Sequence, residues 1–306
     1  MTDRDIRRTV PSAWHLDRDL PAGVSADAAA SMIELHALLG DAVRGLQPHF
    51  RRDLLLECTM TAVFTAPWIR PQDLLPAARL ACWIVVIDDH ADTAAADTDE
   101  VDATFDSCRN VLNGAGPVTG NPIADALASI LHSLAQLPSH DLLGPPLRAS
   151  LHRMLDAMSI EYRASRRHGQ EARPFGTQEY FTIAADSIGV LPLMTTLWHV
   201  MDAPDLPRHL PLLTDAAQHA SLAVRVANDL AGTEREHAEG KINALSLGFS
   251  RSHLHTELAN AQQNLQKICQ PLIDNGNAPA IALTRFTTWA VRLYQHQGLP
   301  STSSPA

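Results

Sequence analysis

Residues 81–92 read Ala-Cys-Trp-Ile-Val-Val-Ile-Asp-Asp-His-Ala-Asp, an apolar run of two helical turns that ends in three carboxylates. In a helix, Asp88 and Asp92 share one face, whereas Asp89 points about 100° away. Two carboxylates on one face repel each other, and a bound cation relieves that repulsion. Carboxylate oxygens suit a hard cation such as Mg²⁺, which also takes phosphate oxygens. The alternative is a solvated acidic helix end, because further acidic residues follow between positions 97 and 102.

A second polar sequence also closes an apolar helical run. Residues 225–236 read Arg-Val-Ala-Asn-Asp-Leu-Ala-Gly-Thr-Glu-Arg-Glu. If the helix continues, Asn228 and Glu236 lie two turns apart on nearly the same face, and their oxygens can bind one further cation. Arg225 and Arg235 can bind a diphosphate. An exposed, charged helix end explains this sequence equally well by itself. Two oxygen-rich helix ends, 140 residues apart and both after core-like helices, are hard to obtain by chance.

The rest of the chain has a helical pattern. Leu and Ala recur at three- and four-residue intervals, and Pro- and Gly-rich breaks separate the segments, without an alternating strand pattern. The predicted helical segments are 25–46, 51–66, 73–92, 122–136, 147–166, 206–219, 221–236, 252–272 and 278–296. We therefore predict an all-α protein with a single domain over residues 1–306, in which residues 1–20 and 301–306 are flexible tails.

Charge and hydropathy exclude several classes of protein. The net charge is −10, and the only lysines are Lys241 and Lys267, so we expect no nucleic-acid binding and no attraction to an anionic membrane. The most apolar long window, residues 181–200, is interrupted by Gly189 and Pro192. This pattern favours a buried, kinked helix over a membrane span.

The four cysteines are scattered along the chain and lack a CxxC pair or metal-finger spacing. They are predicted to be buried, reduced thiols. The first residues lack the apolar stretch of a signal peptide, which favours a cytoplasmic protein.

The two polar sequences together resemble those of class I terpene synthases. Residues 88–92 are similar to the family's DDxxD motif, and residues 228–236 to its second metal motif, ND-x-x-(S/T)-x-x-x-E. The resemblance spans roughly residues 30–300. It implies an α-helical bundle around an apolar cavity, with three Mg²⁺ ions and an isoprenoid diphosphate at the mouth. The resemblance does not decide whether the protein forms a homodimer. By this resemblance Asp88 and Asp92 bind two ions, while Asn228 and Glu236 bind the third.

The second motif departs from the family pattern at one place. The family's Ser/Thr ligand falls on Gly232, and Thr233 is one position late. Either water fills that coordination position, which Mg²⁺ allows readily, or the helix adjusts to recruit Thr233. Arg235 and Arg225 fall where the family commonly has a basic residue and a diphosphate-binding arginine.

Other departures from the family pattern indicate a subgroup of class I terpene synthases. Ala184 stands where many bacterial sesquiterpene cyclases have a diphosphate-sensing arginine, and residues 186–190 resemble bacterial ent-kaurene synthases and related labdane-type diterpene synthases. Near the chain end, Arg292 and Tyr294 are similar to the family's diphosphate-binding Arg-Tyr pair, although here the two residues are not adjacent. The resemblance implies a bicyclic, copalyl-type diphosphate as substrate. Linear geranylgeranyl or farnesyl diphosphate is the alternative.

A cavity that holds a carbocation needs an apolar or aromatic wall. The expected break near Gly189 frees carbonyl groups whose dipoles can face positive charge. Aromatic residues on predicted core helices either pack in the core or present ring faces to the cation. The candidate wall residues are Trp83, Phe64, Phe181, Asp186, Ile188, Gly189, Trp198 and Trp289.

Four other classes of protein fit the sequence less well. A chain-elongating isoprenyl enzyme requires a second aspartate-rich motif, and a squalene-type enzyme requires a second DxxxD, which Thr233 breaks. A class II cyclase requires DxDD, which residues 97–100 approach only in a loop-like acidic stretch. A helical binding protein without activity is distinguished by the absence of a Mg²⁺-dependent thermal shift with pyrophosphate.

Overall fold

The computed structural model describes residues 22–46, 52–92, 98–115, 120–167, 175–201, 203–232 and 242–297. Regular structure in these residues is helical, without a β-strand, which confirms the predicted all-α class. The predicted tails, 1–20 and 301–306, lie outside the described residues, and the assignment of one domain stays a prediction.

The helices follow one another with short connections. In chain order they are α1 Ala22–Ala42, α2 Arg52–Thr65, α3 Pro71–Asp92, α4 Thr98–Leu112, α5 Pro122–Ala135, α6 His140–Arg167, α7 Thr177–Ser187, α8 Val190–His199, α9 Leu206–Ala231, α10 Arg251–Asp274 and α11 Ala278–Gln297. A 3₁₀ turn, Arg44–Leu46, follows α1.

Helix α3 lies at the centre of the larger apolar core. It packs against α1, α2, α5 and α8, and it buries Leu74, Trp83 and Ile87 completely. Helix α9 packs against α7, α8, α10 and α11. Both helices that carry the polar sequences are therefore held along their length by packing, which supplies most helix stability in proteins.

Two helices differ from the sequence prediction. Helix α4 begins at Thr98, within the acidic stretch interpreted as loop-like, because its opposite face buries Val101, Phe105 and Cys108. Helix α6 begins at His140 and passes through the Pro145-Pro146 pair, whereas the predicted segment begins after the two prolines, at residue 147. Two prolines remove two backbone hydrogen bonds, but the buried apolar face on either side of them maintains the helix.

The apolar window near residues 181–200 folds into two helices, α7 and α8, in agreement with the predicted kinked helix. Residues 179–199 are long and apolar enough to cross a membrane, yet 72% of their most apolar window is buried inside the protein. The break falls at Gly189, whose φ of 74° is left-handed and suits glycine. Every residue of α8 is buried. This stretch forms part of the protein core.

The four cysteines are free and buried, as predicted. Their positions on α2, α3, α4 and α10 are distributed through the bundle.

The buried His199 makes stability sensitive to acid. Its Nδ1 lies 2.8 Å from the carbonyl oxygen of Thr195, to which a protonated Nδ1 donates, and burial lowers the pKa of His199. The ring of His140 faces it at 6.0 Å and disfavours a second charge. Below about pH 6.5 the unfolded chain takes up a proton that the folded protein excludes, so stability is lost as pH falls. We expect the melting temperature to drop between pH 7.5 and 5.5.

The His199→Gln variant is expected to show a smaller drop in melting temperature over the same pH range. His255→Gln, which changes an exposed histidine, serves as the matched control and should behave as wild type. Equal pH dependence in wild type and His199→Gln would assign the acid sensitivity to other groups.

Candidate active site

A cavity of about 290 Å³ opens between α2, α3, α6, α9, α11 and the break between α7 and α8. Its apolar lining is Leu54, Cys58, Ala81, Ile84, Val85, Ala91, Met158, Leu193, Val224, Ile242, Phe286, Trp289, Ala290 and Leu293, with Ile188 and Gly189 from the break. Its polar lining is Glu57, Thr61, Asp88, Glu161, Tyr162, Ser165, Ser187, Arg225, Asn228 and Tyr294. An apolar wall with a few convergent polar groups is typical of a small-molecule site.

The two polar helix ends contribute to the same cavity. Asp88 stands near the end of α3, and Asn228 stands one turn before the end of α9. Both side chains line the cavity, although 140 residues separate them in the chain. The carboxylate and amide oxygens needed for a hard cation are therefore brought to one place by the packing of α3 and α9 around it.

Tyr294 on α11 links these two residues. Burial together with the nearby Asp88 carboxylate raises the pKa of Tyr294 to about 12, and Asn228 beside it acts in the opposite direction. The Glu57 carboxylate also raises the pKa of the Tyr294 phenol. At neutral pH the phenol therefore keeps its proton and can act as a hydrogen-bond donor.

Arg225, in the polar lining of the cavity, connects three helices. Its Nε donates to Asp229 Oδ1 at 2.9 Å, its Nη2 lies 3.1 Å from Glu161 Oε1, and Nη2 also donates to the Tyr180 hydroxyl at 3.1 Å. Nη1 donates to the Ser187 hydroxyl at 3.4 Å. The arginine side chain is only 11% exposed. Its donors are already engaged with protein acceptors, so Arg225 positions α6, α7 and α9 relative to one another.

Asp229 completes this buried network. It is fully buried, and its Oδ2 accepts hydrogen bonds from the Tyr180 hydroxyl at 2.7 Å and from the Ala244 amide at 3.2 Å. Its backbone carbonyl accepts from the Asn243 side chain at 3.3 Å. Asp229 thus attaches the segment after the second motif to α9. It holds Asn228, its neighbour in sequence, at the cavity.

The break between α7 and α8 forms one wall. Ile188 and Gly189 both line the cavity, as predicted. A Cβ at Gly189 would meet Ile84 at 3.0 Å and Met154 at 3.1 Å, so a larger residue would force these side chains to shift as well as strain the left-handed backbone. Ser187 lines the same wall and accepts the hydrogen bond from Arg225, which connects the break to α9.

Several candidate wall residues lie elsewhere, and this corrects the sequence interpretation. The Trp83 indole donates to the Ile123 carbonyl at 2.8 Å, and Trp198 is fully buried in the core. Phe181 packs on Phe249 in a second apolar cluster, with ring centroids 5.1 Å apart. Helical periodicity places each on an apolar face but does not say which neighbour covers that face.

Two further candidates are corrected for similar reasons. Phe64 lies behind Trp289, with the two ring centroids 4.9 Å apart, and only Trp289 lines the cavity. Asp186 is partly exposed and pairs with Arg153 at 3.6 Å, away from the cavity lining.

Arg292 and Tyr294 separate in the structure. Tyr294 lines the cavity, whereas Arg292 is exposed and does not. Two positions on a helix are about 200° apart, so both side chains cannot face one site. The resemblance to an adjacent Arg-Tyr pair therefore holds for the tyrosine alone.

Part of the predicted metal site lies outside the described residues. This applies to Thr233, Arg235 and Glu236, and to the side chain of Asp92. Helix α9 ends at Ala231 with Gly232 as its C-cap, so only the first turn of the second motif is seen. Among the described residues, the His, Cys, Asp and Glu side chains form no group of three that could hold a metal. The ligand roles of these residues stay predictions.

Sequence reasoning missed two carboxylates of the cavity. Glu57 interrupts the apolar face of α2, and Glu161 lies on α6 with its side chain 17% exposed. The sequence did contain one signal for Glu57, because a single acidic residue within an apolar helical run indicates a polar site. Tyr180 was also missed, because its partner Asp229 is 49 residues away in sequence.

Comparisons with known proteins show the family of this chain. Residues 79–273 match the family described as terpene synthase family 2, C-terminal metal binding. Over 231 residues the chain is 30% identical to ent-pimara-9(11),15-diene synthase from Streptomyces sp. (strain KO-3988), covering 75% of this chain and 78% of that protein.

Solved structures share the fold. Linalool/nerolidol synthase from Streptomyces clavuligerus superposes with a TM-score of 0.68 at 16% identity, over 85% of this chain and 95% of that chain. The same enzyme in complex with 2-fluorogeranyl diphosphate gives a TM-score of 0.64 at 17% identity, over 90% of this chain and 98% of that chain.

The family match spans both Asp88 and Asn228, and the fold match spans the bundle that brings them together. The protein is therefore an enzyme, a class I terpene synthase. Within that class the chain belongs to terpene synthase family 2, a metal-binding family.

Proposed function

We propose that this enzyme is a diterpene synthase that ionises a bicyclic, copalyl-type diphosphate, rearranges the carbocation, and ends by deprotonation or water capture. The observation that carries the proposal is that Asp88 and Asn228 line one apolar cavity from two distant helices. The relative at 30% identity is a pimaradiene synthase by name, which supports a diterpene product. Linear geranylgeranyl or farnesyl diphosphate is the alternative substrate, and we propose a cytoplasmic location.

The donor set suits magnesium. Asp88 and Asn228 present carboxylate and amide oxygens to the cavity, the ligand chemistry that a hard divalent ion requires. We propose that Asp88 and Asp92 hold two of three Mg²⁺ ions and that Asn228 and Glu236 hold the third, with water or Thr233 completing it. When bound, Mg²⁺ supplies Lewis-acid stabilisation of the departing diphosphate.

The arginines have two roles: some contact the diphosphate, and Arg225 holds helices in position. Arg235 is our proposed arginine contact for the diphosphate, whereas Arg225 acts through the elements it holds, because Asp229 and Glu161 engage its guanidinium. Arg292 is exposed and reaches the diphosphate only if the cavity mouth closes around it.

The apolar wall has two roles in this reaction. It excludes water, which would quench the cation early, and it orders the hydrocarbon in a reactive conformation. Trp289 and Phe286 line the cavity and can present ring faces to positive charge. Asn228 lowers the pKa of the Tyr294 phenol, as an amide N–H that donates to the phenol oxygen does, so Tyr294 can orient the amide and leave its oxygen for metal binding.

The substrate proposal predicts a preference of at least about tenfold in kcat/KM for copalyl-type over geranylgeranyl diphosphate. This corresponds to roughly 1.4 kcal/mol of transition-state stabilisation. A bicyclic skeleton is already compact, whereas a linear chain loses more rotational freedom when a small cavity orders it. The measurement is a competition assay with both substrates and Mg²⁺, in which gas chromatography separates the products. Exclusive use of a linear diphosphate would reject the copalyl proposal and leave the class I assignment intact.

A further inference from the structure

Two histidines lie side by side in a part of the bundle that does not line the cavity. His140 begins α6 and His199 ends α8, and their ring centroids are 6.0 Å apart, with the ring planes tilted by 42°. Ser139, which directly precedes His140, donates a hydrogen bond to the His199 carbonyl at 2.9 Å. This bond joins the start of α6 to the end of α8 and holds the two histidines next to each other.

Each of the two rings has one buried nitrogen without a hydrogen-bond partner among the described residues. In His199 this atom is Nε2, because Nδ1 bonds to the Thr195 carbonyl at 2.8 Å. That bond sets the tautomer of the neutral ring: Nδ1 carries the proton, and Nε2 keeps its lone pair. In His140 the atom without a partner is Nδ1. Buried polar atoms in folded proteins nearly always have a partner, so these two nitrogens indicate a ligand.

Gly144 makes room for the imidazole of His140. It lies one helical turn after His140 on α6, and the ring occupies the space that a side chain at position 144 would need. A Cβ there would lie 2.7 Å from Cε1 of His140 and 2.9 Å from its Nε2. Glycine is unfavourable inside a helix relative to alanine. Its presence at this position is therefore explained by a ring that has to lie over α6.

We propose that His140 and His199 form a binding site for a transition-metal cation that prefers imidazole, with Zn²⁺ as the representative ion. The ligands are Nδ1 of His140 and Nε2 of His199. Zn–N bonds of about 2.0–2.1 Å place the centroids of two imidazoles roughly 5–6.5 Å apart, and the observed 6.0 Å lies within this range. A direct N–H···N hydrogen bond of about 3 Å would bring the centroids to roughly 5 Å, so the rings are too far apart for one.

This site differs from the one at the cavity in its ligand chemistry. Imidazole nitrogens suit Zn²⁺, Ni²⁺ or Cu²⁺, whereas Mg²⁺ prefers oxygen ligands. The three or four protein ligands of typical zinc sites are reduced here to two, so water completes the coordination and the ion is exchangeable. His140 is partly exposed, which gives the ion and its water a route from the surface. A bound ion joins α6 to α8 and thereby stabilises the folded protein.

The direct test is equilibrium dialysis of the full-length protein against ZnCl₂ at pH 7.5, where imidazole is mostly neutral, with excess Mg²⁺ to occupy carboxylate sites. We expect the wild type to bind Zn²⁺ at least roughly tenfold more tightly than His140→Gln or His199→Gln. His255→Gln changes an exposed histidine on α10, so it is the matched control and should bind as the wild type does. Equal zinc affinity in the wild type and both ligand variants would overturn the proposal, because other groups would then hold the ion.

The Gly144→Ala variant tests the geometry while both ligands stay in the protein. The added Cβ displaces the His140 ring from its place over α6, whereas alanine itself favours the helix. We expect the melting temperature of this variant in EDTA to equal or exceed that of wild type. Its zinc affinity should fall at least roughly tenfold, and ZnCl₂ should raise the melting temperature of the wild type alone. Wild-type zinc affinity in the folded Gly144→Ala protein would overturn the proposed site.

Discussion

Asp88→Ala is expected to remove nearly all turnover while the protein stays folded. Asp88 is exposed at the end of α3 and lines the cavity, so it contributes little to the core. Loss of an essential metal ligand costs several kcal/mol of transition-state stabilisation, and about 4 kcal/mol corresponds to roughly a thousandfold loss in rate. The measurement is kcat/KM from product formation with Mg²⁺, together with helicity and melting temperature from circular dichroism.

Two further substitutions make this result specific. Asp88→Asn keeps the size of the side chain and removes its charge, so it should be nearly as impaired. Glu100→Ala changes an exposed acidic residue on α4, outside the cavity lining, and should retain wild-type turnover. Full activity in Asp88→Ala would reject the metal-site interpretation of the first motif. Loss of activity together with loss of fold would assign Asp88 a structural role instead.

Asp229→Ala is expected to cost the most stability of the substitutions considered, about 3–5 kcal/mol in the free energy of unfolding. Asp229 is fully buried and accepts hydrogen bonds from Arg225, Tyr180 and the Ala244 amide. Its removal leaves Arg225 buried with one carboxylate partner fewer and leaves the other donors unsatisfied. The measurement is denaturant-induced unfolding followed by circular dichroism, with the wild type under identical conditions.

Neighbouring variants show whether the effect belongs to this network. Tyr180→Phe removes one hydrogen bond from the same carboxylate and should cost about 1 kcal/mol. Asn228→Ala changes the next residue in sequence, which lines the cavity, and should impair turnover far more than stability. An Asp229→Ala protein that unfolds at the same denaturant concentration as wild type would contradict the role assigned to the network.

The contrast between Asn228 and Asp229 shows how far sequence reasoning extends at this site. Helical periodicity predicted that adjacent residues point in different directions, and the motif resemblance predicted that Asn228 is a ligand. The stabilising role of Asp229 was not predicted, because it depends on Tyr180, which is 49 residues away and on another helix. A motif describes spacing along one helix, whereas a buried charge is stabilised by whatever the fold brings to it.

By itself the sequence determined the helical class, the kink near Gly189, the burial of the cysteines and the oxygen-rich ends of α3 and α9. These features depend on local periodicity, backbone preference and side-chain chemistry, which are present in the order of residues. Only the tertiary structure decided that Trp289 lines the cavity while Trp83 does not, and that Arg225 pairs with Glu161. Periodicity assigns a residue to a face of its helix, but the helix that covers that face is chosen by packing among segments far apart in the chain.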